Sequence, residues 1–275
     1  MKRAANPVSS VVRTFEVLNL LKVRDEAGVT EIAAELGISK GTAHNHLATL
    51  EEHGFVVGGG GRYRLGLEFI IFGEYVRHHS ALYQNGKEPV DDLAVETGEY
   101  AHLSTEQQGR GIKLYKARGG NAFGGSYQSS KFQHPDPLHH TATGKAILAH
   151  LPRAEVDEII EYYGLPAITE HTITDRERLY DELDDIAERG FALNDEEEVY
   201  GIRAVGAPIR DPEDRAIGAV SVSGPTSRFG DDMFLDVLPE EVMRAGNIIE
   251  ARINMAAQRG NMKHVMRAGG QHPTN

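Results

Sequence analysis

The chain of 275 residues contains no cysteine. That excludes disulfides and thiolate metal sites, and it removes the commonest zinc ligand. No run of eighteen apolar residues occurs, so no membrane span is expected. The basic N-terminus is not followed by an apolar stretch, which argues against a secretory signal. The cytoplasm is therefore the expected compartment. The length allows a sizeable core and two domains.

Basic charge is also scarce, with 29 Lys and Arg against 41 Asp and Glu and a net charge of -12. Such a balance looks wrong for a chain that neutralises phosphates. Its distribution matters more than its sum. Residues 1–80 hold nine basic and nine acidic side chains, so the remainder carries the whole excess, 20 against 32. Arg also far outnumbers Lys. An acidic, Lys-poor surface is similar to that of proteins from a high-salt cytoplasm, where charge–charge forces are screened.

Patterning divides the chain further. Residues 10–22 place Val11, Phe15 and Leu18 at helical spacing, with Val17 and Leu21 widening the stripe. Thr30 is placed to cap a second helix, and Glu31 suits its first turn. Gly37 permits the positive φ of a tight turn, and Ser39 is placed to cap a third helix reaching about residue 53. Residues 55–57 and 62–65 read as two strands across a glycine loop, a β-hairpin. Helix, helix, turn, helix, hairpin is the order of a winged helix-turn-helix.

An apolar helix is expected over 66–83, broken by Asn85-Gly86-Lys87-Glu88-Pro89. Beyond it, strands are expected at 101–104, 111–117, 123–128, 191–194, 202–209 and 217–223. Helices are expected at 141–150, 155–162, from a capping box at Thr174-Asp175-Arg176-Glu177 to Gly190, and at 238–258. The resulting boundaries are a winged helix-turn-helix domain 1–65, a linker helix 66–87, a second domain 88–260 and a mobile tail 261–275. With no βαβ alternation, the class is α+β, with an antiparallel sheet and flanking helices.

In the third helix, Ala43, Leu47 and Leu50 share an inward face. Lys40 and His44 share another, beside Gly41 and Asn45. A short polar stripe at a helix N-terminus suits a recognition helix in the major groove. Asn pairs with adenine and Lys donates to guanine. Ser39 and Thr42 suit phosphate or base, and Arg62 and Arg64 on the hairpin suit flanking phosphates. An ordinary solvated helix is the plainer alternative. His44 and His46 lie two apart, about 200° around a helix, and cannot share a metal. His46 occupies a position expected to be partly buried.

Three later stretches carry polar chemistry. In Leu138-His139-His140-Thr141-Ala142-Thr143-Gly144-Lys145-Ala146, the Gly-Lys pair lacks the other marks of a phosphate loop. No third ligand at helical offset turns His139 and His140 into a metal site, so hydrogen bonding is expected of them. The run Asp195-Glu196-Glu197-Glu198 suits either a metal or, more simply, a solvated surface. In Gly218-Ala219-Val220-Ser221-Val222-Ser223-Gly224-Pro225, alternation sends Ser221 and Ser223 to one face of a strand. Two hydroxyls there need partners, whether ligand, water or backbone.

Behind a winged helix, the stretches LHHTATGKAILAHL, NDEEEVYGIRAVGAPI and GAVSVSGP resemble the IclR family of transcriptional regulators. TEIAAELGISKGTAHNHLATLEEHGFV is similar to that family's DNA-binding segment, and the resemblance spans about residues 10–259. It implies a GAF-like effector domain joined by a helix to the DNA-binding domain. It also implies homodimers or homotetramers on a double-stranded DNA operator, controlling catabolic or stress genes. The implied effector is a small organic acid, aromatic or sugar derivative, with no cofactor. The family's pocket positions fall on Ala142, Thr143, Asn194, Ile202, Ala204, Ser221 and Ser223. Ala204 stands where many members have Cys, and Asn194 where many have an acid; both departures bear on which effector fits. An enzyme with a winged-helix appendage would need a nucleophile–base or carboxylate pair; Gly-x-Ser-x-Gly and His-Glu-x-x-His are both missing. A metal sensor built on His, Asp and Glu is the other alternative.

Overall fold

The computed structural model describes residues 5–122 and 135–268, with side chains as far as 258. It forms two compact units, divided between His78 and His79. The strand expected over 123–128 lies outside the described residues.

The first unit is a winged helix-turn-helix. It contains α1 (Ser9–Arg24), β1 (Ala27–Gly28), α2 (Val29–Glu35), α3 (Lys40–Glu52), β2 (Val56–Gly59), β3 (Arg62–Leu65) and α4 (Glu68–His79). The strands form an antiparallel sheet in the order β1-β3-β2. Val17, Leu20 and Leu21 of α1 meet Ile32, Ala43, Leu47, Leu50 and Val56 in one core. The buried stripe of α1 is thus rotated from the expected one: Val11 and Phe15 are exposed. Helix α2 begins two residues earlier than expected, at Val29, with Gly28 as its cap. The Gly28 amide donates to the Glu31 carboxylate at 2.7 Å, so Glu31 satisfies the helix start and Thr30 does not. Gly37 takes φ 62° in the turn.

The second unit opens with α5 (Ala81–Thr97). Sequence patterning predicts one linker helix over 66–87 and a break at 85–89. Instead the break falls at Ser80, whose hydroxyl caps α5, and residues 85–89 lie inside that helix. Gly86 is there for packing: a Cβ would stand 2.7 Å from the Leu103 side chain. Pro89 is buried within α5.

A six-stranded sheet, antiparallel throughout, follows in the order β6-β5-β4-β9-β8-β7. Its strands are β4 (Tyr100–Gln107), β5 (Arg110–Arg118), β6 (Asp136–Pro137), β7 (Ala192–Asp195), β8 (Ile202–Arg210) and β9 (Ala216–Pro225). One face carries Ala101, Leu103, Val205, Ala207, Val220 and Val222. It packs against α5 and α9 (Leu238–Ala268). Each large apolar side chain in that layer contributes about 1.5–3 kcal/mol. The other face is covered by α6 (Ala142–Leu148), α7 (Arg153–Tyr163) and α8 (Arg176–Arg189). Asp175 alone caps α8, accepting from the Arg178 amide at 2.9 Å, so the expected Thr174–Glu177 box is replaced by a single aspartate. A π-turn (Met233–Val237) leads into α9, which runs on to Ala268, past the end expected near residue 258. Part of the expected tail is therefore helical; residues 269–275 lie outside the described residues.

Candidate functional site

Two sites emerge, one in each unit. In the first unit, α3 turns Ala43, Leu47 and Leu50 inward and leaves Lys40, His44 and Asn45 exposed. Ser39 caps the helix: its hydroxyl accepts from the Thr42 amide at 3.0 Å and lies 2.8 Å from the Thr42 hydroxyl. His46 is half-buried, with Nδ1 2.9 Å from the Thr14 hydroxyl, so it braces α3 against α1.

The hairpin arginines differ. Arg62 donates from Nε to Glu26 at 2.7 Å and lies 3.2 Å from Glu31. The expectation that Arg62 is free to meet phosphates therefore needs correction. Its charge is already shared with two carboxylates, and strand pairing explains why, since β1 lies beside β3 in register Gly28↔Arg62. These pairs are exposed and individually weak. Arg64 is exposed and has no ion pair among the described residues.

In the second unit, all seven expected pocket residues line one narrow cavity of about 20 Å³. Ala142, Thr143, Asn194, Ile202, Ala204, Ser221 and Ser223 are joined there by His102, Lys113, Thr141 and Glu198. Strand register gathers them. Ser221 pairs with His102 and Gly206, and Ser223 pairs with Tyr100 and Ala204. Directly opposed residues share a face, so hydroxyl, imidazole and methyl groups converge. Gly206 brings in α6: a Cβ would stand 2.7 Å from the Ala142 carbonyl carbon, so the missing side chain seats Ala142 on the sheet.

The polar groups are unequally committed. Ser223 Oγ lies 3.1 Å from His102 Nε2, both buried. Thr141 caps α6 through the Gly144 amide. Asn194 donates to the His140 carbonyl at 2.6 Å and accepts from the Glu197 amide at 3.1 Å, so its amide acts as a brace. The Ser221 and Thr143 hydroxyls make no side-chain hydrogen bond among the described residues.

Beside the pocket, the reading of residues 195–198 as solvated needs revision. Glu197 is buried and accepts from Lys145, itself the largest fully buried side chain, with Glu182 at 3.5 Å. Burial pushes the Glu197 carboxyl up, against the opposing pull of Lys145. Lys145 thus points into the interior and not toward a phosphate. Asp195 pairs with Arg203, and Glu196 accepts from the Gly201 amide. His139 bonds the Pro166 carbonyl at 3.0 Å, as expected of a hydrogen-bonding histidine. Among the described residues no three His, Asp or Glu side chains come together as a metal site. No described helix is long and apolar enough to cross a membrane.

Strand alternation made Ser221 and Ser223 visible in the sequence. His102, Lys113, Thr141 and Glu198 were missed. His102 has a weak signal, a histidine between apolar Ala101 and Leu103 at the start of a strand, but only strand pairing brings it to the serines.

Family comparison agrees with this division. The IclR helix-turn-helix domain matches residues 10–58, and the bacterial transcriptional regulator IclR C-terminal domain matches residues 74–251. The chain is 36% identical over 250 residues to the "Probable HTH-type transcriptional regulator ArcR" of Halobacterium salinarum, covering 90% of this chain and 95% of that one. It is 33% identical over 242 residues to the HTH-type transcriptional regulator XynR of Escherichia coli K12, covering 87% and 94%. The crystal structure of the Thermotoga maritima IclR superposes with a TM-score of 0.66, at 28% identity over 88% of this chain and 99% of that one.

Proposed function

The chain belongs to the IclR family of transcriptional regulators, and on that premise we propose which residues read DNA and which hold the effector. As a member it is a ligand-responsive DNA-binding regulator and not an enzyme. In our reading, Lys40, His44 and Asn45 meet base edges in the major groove of an operator, and Ser39 and Thr42 sit at the helix start beside phosphate. Arg64 neutralises a flanking phosphate, and Arg62 does so only if its carboxylate pairs open.

The effector, a small organic acid, aromatic or sugar derivative, occupies the cavity bounded by Ala142, Thr143, Asn194, Ile202, Ala204, Ser221 and Ser223. One observation carries this reading. Residues from four separate elements converge on a single cavity where the Ser221 and Thr143 hydroxyls have no side-chain partner among the described residues. Both hydroxyls line the cavity with their hydrogen-bonding capacity uncommitted to other side chains, so a polar ligand there gains partners without breaking existing bonds. The regulated genes in this reading are catabolic or stress genes, and the compartment is the cytoplasm.

The working form is a homodimer or homotetramer. Helix α4 supports this: Ile70, Ile71, Phe72, Tyr75 and Val76 are all more than half exposed, an apolar surface that suits association. Effector binding favours one arrangement of two DNA-binding domains over another, and the shift in DNA affinity is bounded by that preference, typically ~1–3 kcal/mol. The excess of acid over base beyond residue 80 fits a protein that works at high ionic strength; a melting temperature that falls as KCl is raised to the molar range would contradict this.

The test of the pocket is a thermal-shift screen of organic acids, aromatics and sugar derivatives, followed by calorimetry on Ser221→Ala and Ser223→Ala with the ligand that binds. Unchanged affinity in both variants would overturn the assignment. Sedimentation showing only monomer at micromolar concentration would overturn the oligomer.

A further inference from the structure

Among the described residues the cavity wall carries one lysine and no arginine, and the lysine's presence there depends on an irregularity in the sheet. We infer that Lys113 anchors a carboxylate on the effector, and that Asp136 is the resident counter-ion this carboxylate replaces. The inference rests on the reading of the cavity as the effector site.

Strand β5 runs beside β4 with Lys116 opposite His102 and Tyr115 opposite Leu103. Regular alternation would next place Leu114 opposite Ser104, on the His102 face, and turn Lys113 away. The register shifts between Leu103 and Ser104, so Ser104 meets Lys113. One extra residue inverts every later side chain. Leu114 goes to the opposite face and packs against the core there. Lys113 turns toward His102, Ser221 and Ser223 and lines the cavity. A bulge of this kind re-aims a side chain. Here it exchanges a leucine for a lysine on the pocket wall.

The lysine side chain is 8% exposed and pairs with Asp136, which is 21% exposed. An ammonium held away from water needs a partner. Asp136 sits on the two-residue edge strand β6, held by two register pairs to β5. An arriving carboxylate keeps Lys113 paired and releases Asp136 from it. The cost of desolvating the lysine is already met by the fold, so the exchange is cheaper than burying a new ion pair. Glu198 on the same wall disfavours a second negative charge. The open hydroxyls of Ser221 and Thr143 favour a ligand that carries hydroxyl groups. The ligand class is therefore a small hydroxylated monocarboxylate.

The test is calorimetry on the full-length chain with three acid and alcohol pairs: glycerate and glycerol, gluconate and sorbitol, 4-hydroxybenzoate and 4-hydroxybenzyl alcohol. Wild type should prefer at least one acid over its alcohol by about tenfold or more. Lys113→Met should bring that ratio close to one, and Lys113→Arg should keep it. Asp136→Asn should strengthen acid binding severalfold and leave the alcohol unchanged, because the competitor is gone. Circular dichroism checks that each variant is folded. An acid preference that survives Lys113→Met, weaker acid binding in Asp136→Asn, or no acid preference in wild type overturns the anchor. Ser221→Ala separates the two readings. If an alcohol binds and depends on Ser221 while no acid is preferred, the pocket stands and the anchor falls. If nothing in the panel binds, the anchor falls, and the broader ligand screen decides the pocket.

Discussion

Lys145 and Glu197 form a buried ion pair between the last turn of α6 and a segment that the sequence writes as four consecutive acids. The second carboxylate oxygen of Glu197 is buried without a partner. Both residues therefore depend on each other. Removing one partner leaves an uncompensated buried charge, so Lys145→Met or Glu197→Leu should each destabilise, the lysine variant by about 3–5 kcal/mol. The double variant Lys145→Met/Glu197→Leu should recover much of that loss. Urea denaturation of all four proteins measures the coupling. Additive losses would show that the pair is not a unit.

His139 sets an acid limit. Burial lowers its pKa from 6.5 to about 4, with smaller contributions from His140 and Lys145 and an opposing one from the Pro166 carbonyl. The unfolded chain takes up a proton near 6.5, and the folded chain resists until about 4. The unfolded state thus binds more protons within that window, and stability falls as pH drops through it. The loss is up to about 3 kcal/mol. Glu197, raised by burial, works in the other direction, losing stability as pH rises. The clean measurement is therefore a difference: His139→Gln should flatten the slope of stability against pH between 6.5 and 4 relative to wild type. Parallel curves would refute this.

The DNA face separates discrimination from affinity. Lys40→Ala and Asn45→Ala should each lose about 1–3 kcal/mol of preference for the operator over a scrambled site. Arg64→Ala should weaken both sites alike and reduce the salt slope by about one. Arg62→Ala should change that slope less, because Glu26 and Glu31 already share its charge. Fluorescence anisotropy across a KCl series reads all four. Equal slope changes for Arg62 and Arg64 would mean the carboxylate pairs open on DNA.

Local rules made much of this fold legible. Gly37, the Ser39 cap and the glycine hairpin marked the winged helix, and alternation put Ser221 and Ser223 together. What stayed hidden depends on partners distant in sequence. Gly86 and Pro89 look like a break until Leu103 is seen against the helix. Arg62 looks free until β1 brings Glu26 alongside. Glu197 looks solvated among its acidic neighbours until Lys145, 52 residues away, meets it. Lys113 looks like a surface lysine because a bulge cannot be read from one strand alone. Each failure is a tertiary contact overriding a sound local rule.

Gly206 is the most direct lever on the pocket. It lies opposite Ser221 on the neighbouring strand, and its missing side chain lets the first residue of α6 rest on the sheet. A methyl group there would meet the Ala142 carbonyl carbon at 2.7 Å, its oxygen at 2.8 Å and its side chain at 3.1 Å. The first two are backbone atoms, which cannot swing aside. Gly206→Ala should therefore push α6 outward, at a cost of about 1–3 kcal/mol. The displacement carries Ala142 and Thr143 away from Ser221, so ligand affinity should fall by more than the stability loss explains under conditions where the protein stays fully folded. Ala204→Gly, on the same strand, changes the wall without moving the helix and serves as the control. Thermal unfolding and calorimetry on both variants distinguish the cases. If Gly206→Ala binds ligand as wild type does, the seating of α6 does not set the shape of the pocket.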